Sequence, residues 1–138
     1  MDKKEALKIV QNYGPDLENL PTHFKKDKKI VLKAVKVFGF PLQFADESLK
    51  KDRKFILEVV KQSGIALFYA DESLKKDKEI VITALKKEGT ALEYAHKSLR
   101  KDKKIILIAL NQNSRALEYA DKSFWKDPDI LAMVNKKK

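Results

Sequence analysis

An aspartate returns every 25 residues along this chain, at Asp2, Asp27, Asp52, Asp77, Asp102 and Asp127. A fixed period of that length marks a repeat architecture, in which one small unit recurs and buries its apolar face only against its neighbours. Taking each aspartate as position 1 divides the 138 residues into five full units and the start of a sixth. All four glycines, Gly14, Gly39, Gly64 and Gly89, then fall at position 13. Leucine fills position 16 throughout, as Leu17, Leu42, Leu67, Leu92 and Leu117.

Each unit reads as two helices. The aspartate is an N-cap whose carboxylate accepts free amides of the first turn, a contribution of roughly 1 kcal/mol. Positions 4, 5, 8 and 9 follow as an apolar stripe with helical spacing, for example Ile30, Val31, Ala34 and Val35. Position 6 is apolar too (Leu32, Leu57, Ile82, Leu107), which widens the face. The glycine at position 13 is expected to end this helix in a left-handed conformation. In the fifth unit, where Ser114 replaces glycine, Asn113 is expected to take that conformation. A shorter second helix follows, as in Ala91 to Ala95. The serines at position 22 (Ser48, Ser73, Ser98, Ser123) are expected to cap the turn into the next unit.

The predicted fold is therefore all-α, a short α-solenoid of five two-helix repeats with a C-terminal capping helix, forming one domain over residues 1–138. The ends depart from the pattern as terminal repeats do. The first unit carries Pro15, Asn19 and Pro21, and the last stops after one helix opened by Pro128, a favourable first-turn residue. Lys136, Lys137 and Lys138 are expected to fray.

The unit Asp77-Lys-Glu-Ile-Val-Ile-Thr-Ala-Leu-Lys-Lys-Glu-Gly89, followed by Ala91-Leu92-Glu93-Tyr94-Ala95 and Ser98-Leu99, closely resembles the repeat of domain of unknown function 4116. The likeness is best over residues 27 to 126. It implies an all-helical repeat, often found in tandem arrays within larger proteins, and implies no activity or catalytic residues.

Residues that could carry catalysis do not converge. There is no cysteine, which excludes disulfides and thiolate metal sites. His23 and His96 stand in units one and four, and read as surface side chains rather than as metal ligands. The acidic pairs Asp46-Glu47 and Asp71-Glu72 recur with the period and give way to Lys97 and Lys122 in later units, the behaviour of a solvated turn. No histidine stands in register with the position-22 serines, and each glycine is isolated, so neither a nucleophile nor a phosphate loop is present. The expectation is a protein that is not an enzyme and uses no cofactor. The longest apolar run, Ile105 to Leu110, is far too short to span a membrane, and no apolar stretch follows the first five residues. A soluble, cytoplasmic protein is expected.

Two features could bind a partner. One is a lysine ridge at the junctions between units, positions 24, 25, 1, 2 and 3. It comprises Lys25, Lys26, Lys28 and Lys29; Lys50, Lys51, Arg53 and Lys54; Lys75, Lys76 and Lys78; and Arg100, Lys101, Lys103 and Lys104. With Lys3, Lys4 and Lys126, and after subtraction of the junction acids, these positions carry the entire net charge of +10, and the rest of the chain sums to zero. Cations in the first turn oppose the helix dipole, so something other than helix stability favours them. Lysine in place of arginine points to general attraction of an anion over base readout. The other feature is an aromatic ladder at position 18, Phe44, Tyr69, Tyr94 and Tyr119, with Trp125 near its C-terminal end. Aromatic side chains are frequent anchors at protein interfaces. Together they suggest a monomeric interaction module whose concave aromatic strip and basic edge bind another protein, one with an acidic surface. Sequence-nonspecific binding of nucleic acid or another polyanion along the ridge is the alternative.

Overall fold

The structure, a computed structural model, describes residues 1–136. Every regular element among the described residues is helical. An α-helix opens each unit: α1 (Lys3–Asn12), α2 (Lys28–Ala34), α3 (Arg53–Gln62), α4 (Lys78–Lys87), α5 (Lys103–Gln112) and α6 (Pro128–Lys136). The aspartates cap them as expected. Asp27 accepts the Lys29 amide at 3.0 Å and the Ile30 amide at 3.2 Å, and Asp52 accepts that of Phe55 at 3.0 Å. Asp2 forms a reciprocal capping box with Glu5.

In units two to five, positions 4, 5, 8 and 9 go to the core. In α4, Ile80, Val81, Ala84 and Leu85 are all 0% exposed. Each large aliphatic side chain so placed contributes about 1.5–3 kcal/mol by leaving water. Position 6 is only partly buried, so the apolar stripe is narrower than the sequence suggests. Each of these helices packs on the next in the chain, producing a one-dimensional stack.

The remainder of the unit differs from the expected single second helix. It is two helical pieces. A 3₁₀ segment begins at position 13 or 14, as in Gly64–Tyr69 and Gly89–Tyr94, and a short turn follows, as in Glu47–Lys50 and Lys97–Arg100. The 3₁₀ segments close on i to i+3 bonds, the Ala70 amide donating to Leu67 at 3.1 Å and Ala95 to Leu92 at 3.1 Å.

The glycines also do something other than end a helix in the left-handed region. No described residue has positive φ. Helices α3, α4 and α5 close on extended residues, Ser63 at φ −145°, Glu88 at −145° and Asn113 at −157°. Asn113 is therefore not left-handed, and its side chain accepts the Arg115 amide at 2.9 Å. Glycine is needed for close approach instead. A Cβ on Gly14 would lie 2.1 Å from the Ala34 carbonyl oxygen, on Gly64 2.3 Å from that of Ala84, and on Gly89 2.3 Å from that of Ala109. In each case the obstruction is position 8 of the following unit.

The short turns are capped by position 20, not by the serines. Asp46 accepts the Ser48 amide at 3.0 Å and its hydroxyl at 2.6 Å, and Asp71 holds Ser73 at the same distances. Where His96 replaces aspartate, its Nδ1 accepts the Ser98 amide at 3.2 Å. The position-20 amides also tie units together. Those of Asp46, Asp71, His96 and Asp121 donate to the carbonyls of Lys25, Lys50, Lys75 and Arg100 in the preceding unit, at 3.0–3.1 Å. At the C-terminal end α6 supplies Ile130, 0% exposed, and packs on α5. Lys136 lies within α6, while Lys137 and Lys138 fall outside the described residues.

Candidate functional site

The junction cations separate into three groups. Those at position 2 reach forward to the capping aspartate of the next unit: Lys3 to Asp27 at 2.8 Å, Lys28 to Asp52 at 3.0 Å, Arg53 to Asp77 at 2.7 Å, Lys78 to Asp102 at 3.6 Å and Lys103 to Asp127 at 3.1 Å. Arg53 also holds Glu79, and Lys103 also holds Asp129. Five successive junctions thus carry one ion-pair zipper. It gives the first-turn cations a structural role, since a carboxylate in the neighbouring unit offsets their conflict with the helix dipole. The position-24 cations are half-buried. Lys50 pairs with Glu47 at 3.2 Å and Lys75 with Glu72 at 2.9 Å, each one turn apart. The exposed remainder is Lys26, Lys51, Lys76, Lys101 and Lys126 at position 25, with Lys4, Lys29, Lys54 and Lys104 at position 3.

The aromatic ladder is half-buried on its inner side, where Phe44, Tyr69, Tyr94 and Tyr119 pack against the core. What links its middle rungs is Phe68, which the sequence reading passed over. Its ring meets Tyr69 edge-on at 4.8 Å and Tyr94 at 5.1 Å between centroids, and Lys75 Nζ sits 5.4 Å from its centre. Phe68 is nevertheless 51% exposed. The signal was present, because position 17 is glutamate or glutamine in the other four full units. Further along, Tyr94 and Tyr119 line one open groove of about 430 Å³ with Glu93, Arg115 and Glu118. Burial and then the Glu93 carboxylate push the Tyr94 phenol above its ordinary value, while Glu118 and then Glu93 do the same for Tyr119. The strip is therefore aromatic with acidic edges, in contrast to the ridge.

Ladder and ridge also meet farther along the stack. A groove of about 480 Å³ between the fourth and fifth units is lined by Lys97, Arg100, Lys101, Tyr119, Lys122 and Trp125, with Glu118 and Asp121. Trp125 is 39% exposed, its indole NH donating to the Ala120 carbonyl at 3.1 Å and its ring lying 5.9 Å from Lys122 Nζ. The candidate residues Arg100, Lys101, Tyr119 and Trp125 are thus gathered, whereas Phe44 and the ridge cations of the first units lie elsewhere in the stack.

A second exposed patch was also missed. Helix α2 stops at Ala34, shorter than its counterparts, and the turn beyond it exposes Val37 (76%), Phe38 (52%) and Phe40 (38%). Tyr13 joins them, 55% exposed. Positions 11, 12 and 14 hold at most one large apolar side chain in the third to fifth units, so the departure is legible in the sequence.

The histidines take local roles, His96 as the cap described above and His23 against Phe24, the ring centroids 4.1 Å apart and the planes tilted by 41°. Among the described residues no three His, Asp or Glu side chains are grouped to hold a metal ion, and no helix is long and apolar enough to cross a membrane.

Comparison with known families gives one result. The model described as domain of unknown function (DUF4116) matches four overlapping spans, residues 2–50, 27–76, 52–100 and 77–125. Each match spans two successive units, and the first takes in unit one, where the likeness had looked weakest. Neither a curated protein nor a solved structure matches the chain.

Proposed function

The chain belongs to the DUF4116 family, and from that premise we propose that it is a non-enzymatic interaction module whose aromatic strip docks another protein. One observation carries the reading. Phe68 is a large apolar ring held half in solvent by two aromatic neighbours, at a position where other units place glutamate or glutamine. A ring already fixed in place loses little entropy on binding, which suits it as an anchor. Glu93 and Glu118, interleaved with Tyr94 and Tyr119, would repel a phosphate backbone, which favours a protein on this face.

The test is affinity capture with the wild-type chain and with Phe68→Glu. Glutamate is what the fourth and fifth units carry at this position, so the variant should fold, as circular dichroism would establish. Loss of the captured partner is expected. Equal recovery of the same partner by both chains would sink the strip as the docking face.

A second reading is nonspecific polyanion binding along the ridge, supported by the row of exposed lysines at position 25. The zipper weighs against its full strength, because it commits five junction cations to carboxylates within the stack. Binding of labelled duplex that falls steeply with salt and is lost on charge reversal at Lys51, Lys76 and Lys101 would support it.

A further inference from the structure

The sequence reverses charge at one register between the two halves of the stack. Position 21 is Glu47 and Glu72 in units two and three, and Lys97 and Lys122 in units four and five. In the earlier units that glutamate neutralises the position-24 lysine one turn on. In unit four the partner of Arg100 is gone, and a second cation stands in its place. The Arg100 Nε is buried and has no hydrogen-bond partner. A buried donor left unmet is costly, so a group that satisfies it on arrival binds with advantage.

Four cations, Lys97, Arg100, Lys101 and Lys122, line the groove there beside Tyr119 and Trp125. Against them stand Glu118 and Asp121, and the Asp121 carboxylate is already occupied by the Ser123 hydroxyl and amide. In a guanidinium, Nε–H and a parallel N–H form a fork suited to paired oxygens of an oxyanion, and the lysines that line the groove balance a second negative charge.

We propose that this groove binds a phosphoryl group carried on a side chain of a partner protein. This rests on the protein-docking reading above and supplies its specificity: the strip would hold the partner's apolar side, and the groove its phosphorylated residue.

Trp125 is the only tryptophan, so its fluorescence reports the groove directly. The full chain is titrated at constant ionic strength with a short glycine–glutamate peptide bearing a central phosphoserine. Its unphosphorylated twin, inorganic phosphate and a single-stranded oligonucleotide are titrated in parallel. The expected result is a saturable change with the phosphopeptide and binding about tenfold or more weaker for the twin, since hydrogen bonds to charged groups are lost. Lys97→Glu restores the ion pair of units two and three, so it should fold normally and abolish the response; Arg100→Gln should weaken it by a similar factor. An unchanged affinity in Lys97→Glu, or no response to the phosphopeptide, overturns the proposal. So does inorganic phosphate or the oligonucleotide binding as tightly as the phosphopeptide. Equal capture by the wild-type chain and Phe68→Glu, with the Trp125 response intact, strikes the docking reading alone. Capture that is lost in Phe68→Glu, without a phosphopeptide response in the wild-type chain, strikes this one alone.

Discussion

The carbonyl oxygen of Ala84 lies 2.3 Å from where a side chain on Gly64 would begin. That contact crosses from one unit to the next, so the glycine sets how closely neighbouring units can stack. Gly64→Ala should therefore cost about 1–3 kcal/mol, as overpacking of a rigid backbone contact does. Urea melts would measure it. Ser114→Ala, in the same register of the fifth unit, should stay within about 0.5 kcal/mol, because it only removes a hydroxyl from a half-exposed residue. A neutral Gly64→Ala would mean that the stack can open at position 13 without loss. The same residue-scale logic bears on an unpartnered polar atom near the N-terminal end. Gln112 of unit five bonds back across the junction, its amide NH₂ donating to the Lys87 carbonyl at 3.2 Å and its oxygen accepting from the Gly89 amide. Gln62 is its counterpart in unit three, yet its Oε1 is buried without a partner. The early end of α2 alters the backbone that Gln62 would have met.

At the scale of elements, helix meets helix through the zipper, whose acceptor is also the N-cap. The Arg53 guanidinium, opposed by burial and helped by the Ile80 amide, holds the Asp77 carboxyl below its ordinary value. A carboxyl depressed in the folded state stabilises fully above its unfolded pKa of about 3.9, and that stabilisation is lost as pH falls through the folded value. Asp77→Asn keeps a good cap but removes the charge. The variant should melt below the wild type near neutral pH, and the two melting temperatures should converge in acid. A constant gap at all pH values would remove the ion pair from the account. Which parts of these elements the sequence made legible follows from their range. Caps and core positions are local, so Asp77 and Ile80 announced themselves. The 3₁₀ segments did not, because Ala91, Leu92 and Ala95 would share a face of an α-helix equally well. The zipper and the glycine contacts join one unit to the next, and near-identical units conceal whether Lys28 pairs with Asp27 or with Asp52. The groove was half visible: Lys97 and Lys122 stood out as breaks in an acidic register, but only the fold brings them to Arg100 and Trp125.

For the whole molecule, a stack whose helices touch mainly their neighbours should lose stability locally when one end is damaged. Ile130 is the fully buried contact of α6, and α6 covers α5. Ile130→Ala removes most of that side chain from the core, a change that typically costs about 2–5 kcal/mol. In hydrogen exchange followed amide by amide, the loss of protection should be greatest in α6 and α5, at Ile106 and Ala109 for example, and should fade toward α1. Equal loss in α1 and α5 would mean that the chain unfolds as one cooperative block, and nearest-neighbour stacking would then be the wrong description. The outcome bears on function as well. The proposed phosphoryl groove is built from units four and five, next to the end that Ile130 secures, so fraying from α6 would reach Trp125 before it reached Phe68. Ile130→Ala should accordingly weaken the phosphopeptide response while leaving capture through the aromatic strip less affected.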